Sequence, residues 1–254
     1  MRIVTWNINS LKARREHVIG FLDAVSPTLL CLQELKLPDS QIDRELFSSR
    51  GYHLVTHGQP TYNGVAIASR LPMSDVIVGL RGIEEDHSRV LVATVDGVVF
   101  VNLYCPQGQR EDSPAFAYKL RFYDHLIEWI ANTFDPQQPL VVTGDLNVAP
   151  RSCDVFDPFE WANVPTFHPE EHARWQRLLD WGLHDATEDW LEEGAYTFWD
   201  YRQRSFDRNL GMRIDHFLVT RPVLECVQGA LVHVEERARE RASDHAPLEL
   251  ILGR

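Results

Sequence analysis

Cysteine is scarce in this 254-residue sequence: Cys31, Cys105, Cys153 and Cys226 are all there is. Four scattered thiols, none in a metal-type pair, are too few for a disulfide scaffold or a zinc ribbon. Long hydrophobic runs are missing too. No stretch approaches the roughly 20 apolar residues that span a bilayer. The opening MRIVTWNINS reads as a strand, without the basic start and apolar run of a signal peptide. These absences speak against a membrane protein and a disulfide-stapled secreted module, and a reducing cytoplasm is the expected location. Positive charge is also short: 25 Lys and Arg against 37 Asp and Glu leave a net charge of −12. That balance argues against broad affinity for nucleic acid, which needs a basic surface. It leaves room for a local track, because Arg202, Arg204, Arg208, Arg213, Arg237, Arg239 and Arg241 gather late in the chain. On charge alone a solvated face is the favoured reading of them. No low-complexity linker or repeat interrupts the sequence, so one domain over residues 1–254 is expected, long enough to bury a substantial core.

What is present reads mostly as strands in neighbouring hairpins. RIVTWNI, TLLCLQE, YHLVTH, NGVAIAS, VIVGL, AYTFWDY, RIDHFLVT, ALVHVE and APLELIL are β-rich runs. RVLVATVDGVVFVNLY predicts a hairpin turning at Asp96-Gly97. Helical spacing appears at Leu11, Val18, Phe21, Leu22 and Val25. SQIDRELFSSRG predicts a second helix, with Ser40 as N-cap and Gly51 past its end. The longest helix is predicted over SPAFAYKLRFYDHLIEWIANTF, with Pro114 in its first turn and Phe116, Leu120, Tyr123 and Ile127 along one face. Another is predicted from Glu170 to Trp181, stopped by Gly182. Strands in hairpins with a few helices between them depart from regular βαβα alternation. They suggest two mixed sheets packed face to face, with helices on the outer faces.

The polar residues at strand ends form a pattern. Asn7, Glu34, Tyr104, Asp145 and Asn147 sit at or near the C-terminal ends of predicted strands, and Asp215, Asp244 and His245 at the starts of others. If the two groups of strands run antiparallel, both sets meet on one rim of the sandwich, where an active site is readily built. GDLNVAP, residues 144–150, is the sharpest case: the buried run PLVV ends in an aspartate and an asparagine two residues apart. Gly, Asp, Asn and Pro are also ordinary turn formers, so this segment alone fits a turn or a site. Glu34, Asp145, Asn147, Asp244 and Asn7 are hard oxygen donors, suited to Mg²⁺ or Mn²⁺ rather than zinc. SDHAP adds the His245 imidazole, which Asp215 can hold in one tautomer. Metal, oriented histidine, carboxylate and phenol together suit in-line attack of water on a phosphodiester.

The motifs TWNINSLKAR, LQELK, NGVAIAS, NLYCPQG, GDLNVAP, FWDYR, GMRIDHFLVT and SDHAPLEL follow one another as in a known family. The chain resembles the exonuclease III family of abasic-site endonucleases, within the endonuclease/exonuclease/phosphatase superfamily, over essentially its whole length. The resemblance implies a DNase I-like α/β fold, a four-layer sandwich of two packed mixed β-sheets flanked by helices. It implies Mg²⁺-dependent cleavage 5′ to abasic sites in duplex DNA, with 3′→5′ exonuclease and 3′-phosphatase activity on blocked 3′ ends. A monomer is expected. Residue by residue, Glu34 matches the main metal ligand, with Asn7 beside it, and Asp244 a second-site ligand. Asp145 matches the group that activates water or protonates the leaving oxygen, and Asn147 the group that holds the water and transition state. These, with His245, complete the expected metal and catalytic set. Tyr104 matches the phenol near the scissile phosphate. His245 matches the histidine on the phosphate, with Asp215 as its orienting partner. Phe198, Trp199, Met212 and Ile214 match an apolar pocket for the base-less sugar; core packing is their other reading. Gln107 and Arg110 match a loop on the DNA backbone, and Asn9 and Arg202 are further DNA-contact candidates. Met212 stands where some relatives carry tryptophan, which leaves the balance of endonuclease and exonuclease action open. The rivals are a superfamily enzyme for inositol phosphates, sphingomyelin or RNA, and a catalytically dead binding protein on the same fold. FWDYR and GMRID favour the DNA branch, and every catalytic position carries a competent residue.

Overall fold

Whole runs of apolar residues form the strands at the centre of the molecule. LLCLQ and VAIAS, for example, are buried at every position, as strands covered on both faces must be. The structure is a computed structural model that describes residues 1–80, 82 and 87–253. One sheet contains β1 (Arg2–Asn7), β2 (Leu29–Gln33), β3 (His53–His57), β4 (Val65–Ser69), and the later β11 (Val227–Val232) and β12 (Leu248–Leu252). The second contains β5 (Met73–Val78), β6 (Val90–Val95), β7 (Val98–Tyr104), β8 (Leu140–Asp145), β9 (Leu183–Asp185) and β10 (Asp215–Thr220). Their orders are β11-β12-β1-β2-β4-β3 and β5-β6-β7-β8-β10-β9. Each sheet has one parallel pair at its centre, β1 with β2 and β7 with β8, and antiparallel neighbours outside it.

Alternation along the strands builds the layers. Ile3, Leu29, Cys31, Ile67 and Leu250 of the first sheet face Ala93, Phe100, Val141, Phe217 and Val219 of the second in one inner core. The residues between them, Val4, Trp6, Leu30 and Leu32, point outward to Val18, Phe21 and Leu22 of α1 (Arg15–Val25) and to Leu46 and Phe47 of α2 (Glu45–Ser48). On the far side α3 (Pro114–Thr133) lays Phe122, Tyr123, Leu126 and Ile130 on the second sheet, beside Trp175 and Leu178 of α4 (Pro169–Trp181). The result is the expected four-layer sandwich. Truncating a fully buried ring such as Phe217 would cost about 3–5 kcal/mol. A polar link crosses the inner layer: Gln33 Nε2 donates to Asn102 Oδ1 at 2.7 Å, and Asn102 Nδ2 donates to Leu32 and Ala66 carbonyls at 3.0 and 2.9 Å. Buried side-chain bonds of this kind tie the sheets to one another.

Local sequence accounts for most ends. Ser113 caps α3 by accepting from the Phe116 N–H, with Pro114 next, and Gly182 ends α4. Asp96 and Gly97 both take positive φ, 51° and 77°, as a two-residue hairpin turn requires. Three expectations are corrected. The helix over 40–51 is only the one-turn α2; Ser40 lies in a separate 3₁₀ turn, Asp39–Gln41, and caps nothing. AYTFWDY is not a strand: Phe198 makes isolated bridges to Met212 and His245 instead. Leu120 is half-buried, and Phe122, Leu126 and Ile130 share the buried face of α3. The short β9 has no counterpart in the sequence reading.

Candidate active site

The strand directions bring both sets of polar residues to one rim. β1 ends at Asn7, β2 just before Glu34, β7 at Tyr104 and β8 at Asp145. Antiparallel β10 begins at Asp215, and the segment before β12 carries Asp244 and His245. Register aligns Tyr104 with Asp145 and Asp145 with Asp215 in one row across the second sheet. Close approach of β7 and β8 fixes Gly144: at φ 134°, a Cβ there would lie 2.0 Å from the Leu103 carbonyl oxygen. Three residues of the rim, Glu34, Asn9 and Asn147, hold left-handed backbone at φ 54°, 43° and 52°. Asparagine tolerates that region; glutamate rarely occupies it, and such strain clusters at functional sites.

A hydrogen-bonded network joins the side chains. Asn7 Nδ2 donates to Glu34 Oε1 and to Asp145 Oδ2, both at 2.9 Å. Asp145 Oδ1 accepts from the Asn147 N–H at 2.9 Å, and Asn147 Nδ2 donates to the Cys105 carbonyl at 2.8 Å. His245 Nδ1 bonds Asp215 Oδ2 at 2.8 Å, while its Nε2 stands 3.7 Å from Asp145 Oδ2. At that distance Nε2–H makes no bond to Asp145 and is the donor an oxyanion would meet. Asp244 joins through Asn9, whose Nδ2 donates to Asp244 Oδ1 at 3.0 Å. Asn9 Oδ1 accepts from Lys36, which also pairs with Glu34 Oε2 at 2.7 Å.

Burial and crowding set the charges. Burial opposes charging His245, but Asp215, Asp145 and Asp244 outweigh it and lift the imidazole to about 10. These neighbours favour the imidazolium form. Burial first, then the charges of Asp215 and Glu34, push the Asp145 carboxyl up to about 7, against the pull of His245 and the Asn7 amide. A carboxyl near neutrality is suited to moving protons at neutral pH. Burial also drives the Tyr104 phenol well above its ordinary value, with Glu34 and Asp145 adding to the effect, so it stays a proton donor. Glu34 is partly buried, which works against its charge, yet Lys36 and the Asn7 amide hold it below the usual carboxylate range.

This donor set fits a hard divalent cation. Asp145, Asp215 and His245 offer ligand atoms within 4.8 Å of one another, and Glu34 lies one amide away through Asn7. Excess carboxylate charge in a buried cluster is what a bound cation neutralises, and the oxygen-rich composition suits a hard ion. Asp215 is committed to His245 by the 2.8 Å bond, which leaves the oxygens of Glu34 and Asp145, with Asn7, as candidate ligands.

The remaining candidates divide. Phe198 is half-buried, its ring 5.0 Å from that of His245. Met212 and Ile214 pack beneath it at 4% and 3% exposure with Ala149 and Val155. Trp199 is core: it is buried against Tyr196 and Ala246, and its indole N–H donates to Asn209 Oδ1 at 3.1 Å. Gln107, Arg110 and Arg202 are exposed on loops. Arg213 leaves the supposed basic track altogether: it is buried between Asp154 at 2.7 Å and Asp185 at 2.8 Å. Sequence reasoning missed several supporting groups. Ser243 Oγ donates to the Asn7 carbonyl at 2.7 Å and accepts from the His245 N–H at 3.2 Å. Thr197 Oγ1 accepts from the Asp215 N–H at 3.2 Å. The Arg89 guanidinium lies 4.9 Å over the Tyr104 ring. Lys36 and Ser243 stood inside quoted motifs; Thr197 and Arg89 gave no signal.

Two mixed sheets with this carboxylate–histidine–asparagine rim define a metal-dependent phosphoester hydrolase. The chain belongs to the Endonuclease/Exonuclease/phosphatase family, whose model matches residues 4–245, and it is a nuclease of that family. It is 31% identical to "Exodeoxyribonuclease III" of Haemophilus influenzae over 98% of each chain. Among solved structures it is similar to the 3′ phosphatase NExo from Neisseria, bound to a product DNA hairpin, with 40% identity, TM-score 0.97 and 100% of both chains covered. It is also similar to an AP endonuclease from Archaeoglobus fulgidus, with 33% identity, TM-score 0.95 and 99% of both chains covered. Among the described residues no helix is long and apolar enough to cross a membrane.

Proposed function

We propose that the chain is a Mg²⁺-dependent DNA-repair nuclease that hydrolyses the phosphodiester 5′ to abasic sites in duplex DNA and clears 3′ ends as exonuclease and phosphatase. It acts as one domain and as a monomer, in the cytoplasm, and Mn²⁺ can replace Mg²⁺. The observation that carries this reading is the line Asp215–His245 facing Asp145, with Asn147 and Tyr104 beside it. When bound, the cation polarises the phosphate and neutralises charge that develops on it. Asp215 holds Nδ1 of His245, so Nε2–H of the imidazolium is directed at a phosphate oxygen. Asp145 takes the proton of the attacking water, which the Asn147 amide helps to hold. The Tyr104 phenol donates toward the leaving oxygen. Phe198, Met212 and Ile214 receive the base-less sugar, Trp199 supports them from beneath, and Asn9, Gln107, Arg110 and Arg202 contact the backbone.

A second reading, in which 3′-end processing dominates and abasic cleavage is minor, has its own support. Identity is higher to the Neisseria 3′ phosphatase, 40%, than to the archaeal AP endonuclease, 33%, and Met212 and Ile214 leave little open space beneath Phe198. Three duplex oligonucleotides decide between them: one with an internal abasic analogue, one with a 3′-phosphate and one with a recessed 3′ end, each with Mg²⁺ and with EDTA. Turnover of none of them would refute the function. Turnover of the last two alone would select the second reading.

A further inference from the structure

Immediately after β8 the chain turns through Leu146, Asn147, Val148 and Ala149, all buried. Carbonyls in such a connection usually face water. Here each of the four accepts from a side chain. The Tyr123 hydroxyl donates to Leu146 O, and Lys119 Nζ donates to Asn147 O at 2.6 Å. His216 Nε2 bonds Val148 O at 2.7 Å, and His172 Nε2 bonds Ala149 O at 3.0 Å. The Lys119 ammonium is fully buried: it donates to Asn147 O and to Gln107 O at 3.2 Å, and it forms an ion pair with the Glu171 carboxylate, itself fully buried. Glu171 is held in turn by the N–H groups of Thr166 at 2.8 Å and His168 at 3.1 Å.

A buried ion pair adds little net stability, because desolvating both charges offsets their attraction. This one grips the carbonyl of a left-handed residue whose side-chain amide is tied to Cys105 O, one residue past Tyr104. Both ends of Asn147 are therefore fixed to the strand-end segments that carry Asp145 and Tyr104. We propose that Lys119 and Tyr123, four residues apart on the inner face of α3, are positioning residues for Asn147: they hold its backbone so that its amide meets the reacting water. The inference rests on Asn147 belonging to the reacting site, as proposed above. Neither residue touches the substrate.

The test is a pair of mutant cycles on a duplex that the wild type turns over. Lys119→Met is made together with Glu171→Gln, so that no unpaired charge is buried; Tyr123→Phe removes a single hydroxyl. Displacing a reacting group by about 1 Å costs up to about 100-fold. The Lys119 and Glu171 pair of changes should accordingly lower kcat about 10- to 100-fold, and Tyr123→Phe several-fold, with KM within about twofold. In an Asn147→Ala background both penalties should shrink to within about twofold, because the group being positioned is gone. In the metal-free protein, the Asn147 side-chain amide resonances, identified by their loss in Asn147→Ala, should shift or broaden. Unchanged kcat, equal penalties in the two backgrounds, KM rising with the fall in kcat, or unmoved resonances would each overturn the proposal. If the Lys119 variant fails to fold, the Tyr123→Phe cycle decides alone. An Asn147→Ala protein with wild-type kcat would sink the site reading together with this inference; an impaired Asn147→Ala with additive penalties sinks the inference only.

Discussion

Replacing Asp215 by Asn is the most discriminating perturbation of the rim. Asp215 is fully buried, Oδ2 bonds His245 Nδ1, and Oδ1 has no hydrogen-bond partner among the described residues. The carboxylate therefore serves the imidazole alone. His245 is lifted from 6.5 to about 10 in spite of burial, and Asp215 is the largest of the groups that lift it. The surrounding carboxylates thus favour the imidazolium over the neutral ring. An asparagine removes the charge and turns an N–H toward Nδ1 or leaves that donor buried without an acceptor. Either way burial then favours a neutral ring. Loss of a preorganised cationic donor on the phosphate costs about 10²–10³ in kcat, and a mispositioned ring brings the loss toward about 10⁴. Binding to duplex in Ca²⁺, where cleavage is slow, should stay within about threefold because the residue is buried away from the DNA. The pH profile carries the sign. A raised His pKa means that the wild-type imidazole stays protonated through neutrality and loses its proton only as pH climbs through the raised value. In Asp215→Asn the basic limb of kcat must move to lower pH, by more than about one unit. Single-turnover cleavage across pH 6–10, with fluorescence binding alongside, measures both. A basic limb that does not move, or Kd weakened as much as kcat, refutes the oriented imidazolium.

Glu34→Gln keeps shape and loses charge at the proposed main metal ligand, so half-maximal activity should need about 10- to 100-fold more Mg²⁺; wild-type activity at limiting Mg²⁺ would remove Glu34 from the ligand set. Phe198→Ala should weaken discrimination between abasic and intact duplex more than it weakens binding to intact duplex, measured at equilibrium in Ca²⁺, and unchanged discrimination would deny Phe198 a place in the sugar pocket. In the same titrations two to four neutralised phosphates imply a salt slope of about −2 to −4, and a slope near −8 would contradict the few-contact picture. Burial and Arg213 hold His216 down to about 4, so the unfolded chain binds more protons between that value and 6.5, and stability falls on acidification through this window. In EDTA, His216→Gln should remove about 2 kcal/mol of the stability change between pH 7 and 5 seen by urea unfolding; an identical pH dependence in both proteins would deny the buried neutral histidine.

The parts of this molecule that were legible in its sequence are those whose information is local. Strands covered on both faces announce themselves as unbroken apolar runs, and a carboxylate that ends such a run is conspicuous; Glu34 and Asp145 were visible for that reason. Antiparallel pairing then carried Asp215 and His245 to the same rim. Features decided by distant partners stayed hidden. Residues 195–201 look like a strand, but Phe198 pairs only with Met212 and His245, and no ladder propagates from isolated bridges. Ser40 looks like a cap, yet Asp43 supplies the side-chain oxygen that accepts from Leu46 N–H at 3.3 Å. Arg213 sits in a basic stretch and is drawn inward by Asp154 and Asp185, more than 25 residues away in sequence. Lys119 breaks the apolar face of α3, where helical periodicity asks for a hydrophobe, because Glu171 and two loop carbonyls complete its environment.

The same pairing logic explains how a chain of net charge −12 can work on a polyanion. Three exposed arginines pair with an acid close in sequence: Arg202 with Asp200 at 2.5 Å, Arg204 with Asp207 at 2.8 Å, and Arg110 with Asp112 at 3.7 Å. Exposed pairs of this kind contribute little, being screened by solvent, so a phosphate can displace the acid at little cost, but the acid stays nearby and cancels much of the gain. Non-specific attraction to intact duplex is thereby kept weak. What remains favourable is confined to the rim, where carboxylates gather a cation, His245 is held charged, and an apolar patch lies beside them. A duplex weakened by a missing base or a free 3′ end reaches that rim more cheaply, because less stacking must be broken. On the proposed function, weak attraction outside and a cation held by the rim carboxylates would act in the same direction, favouring damaged over intact DNA through the cost of deformation rather than through overall charge.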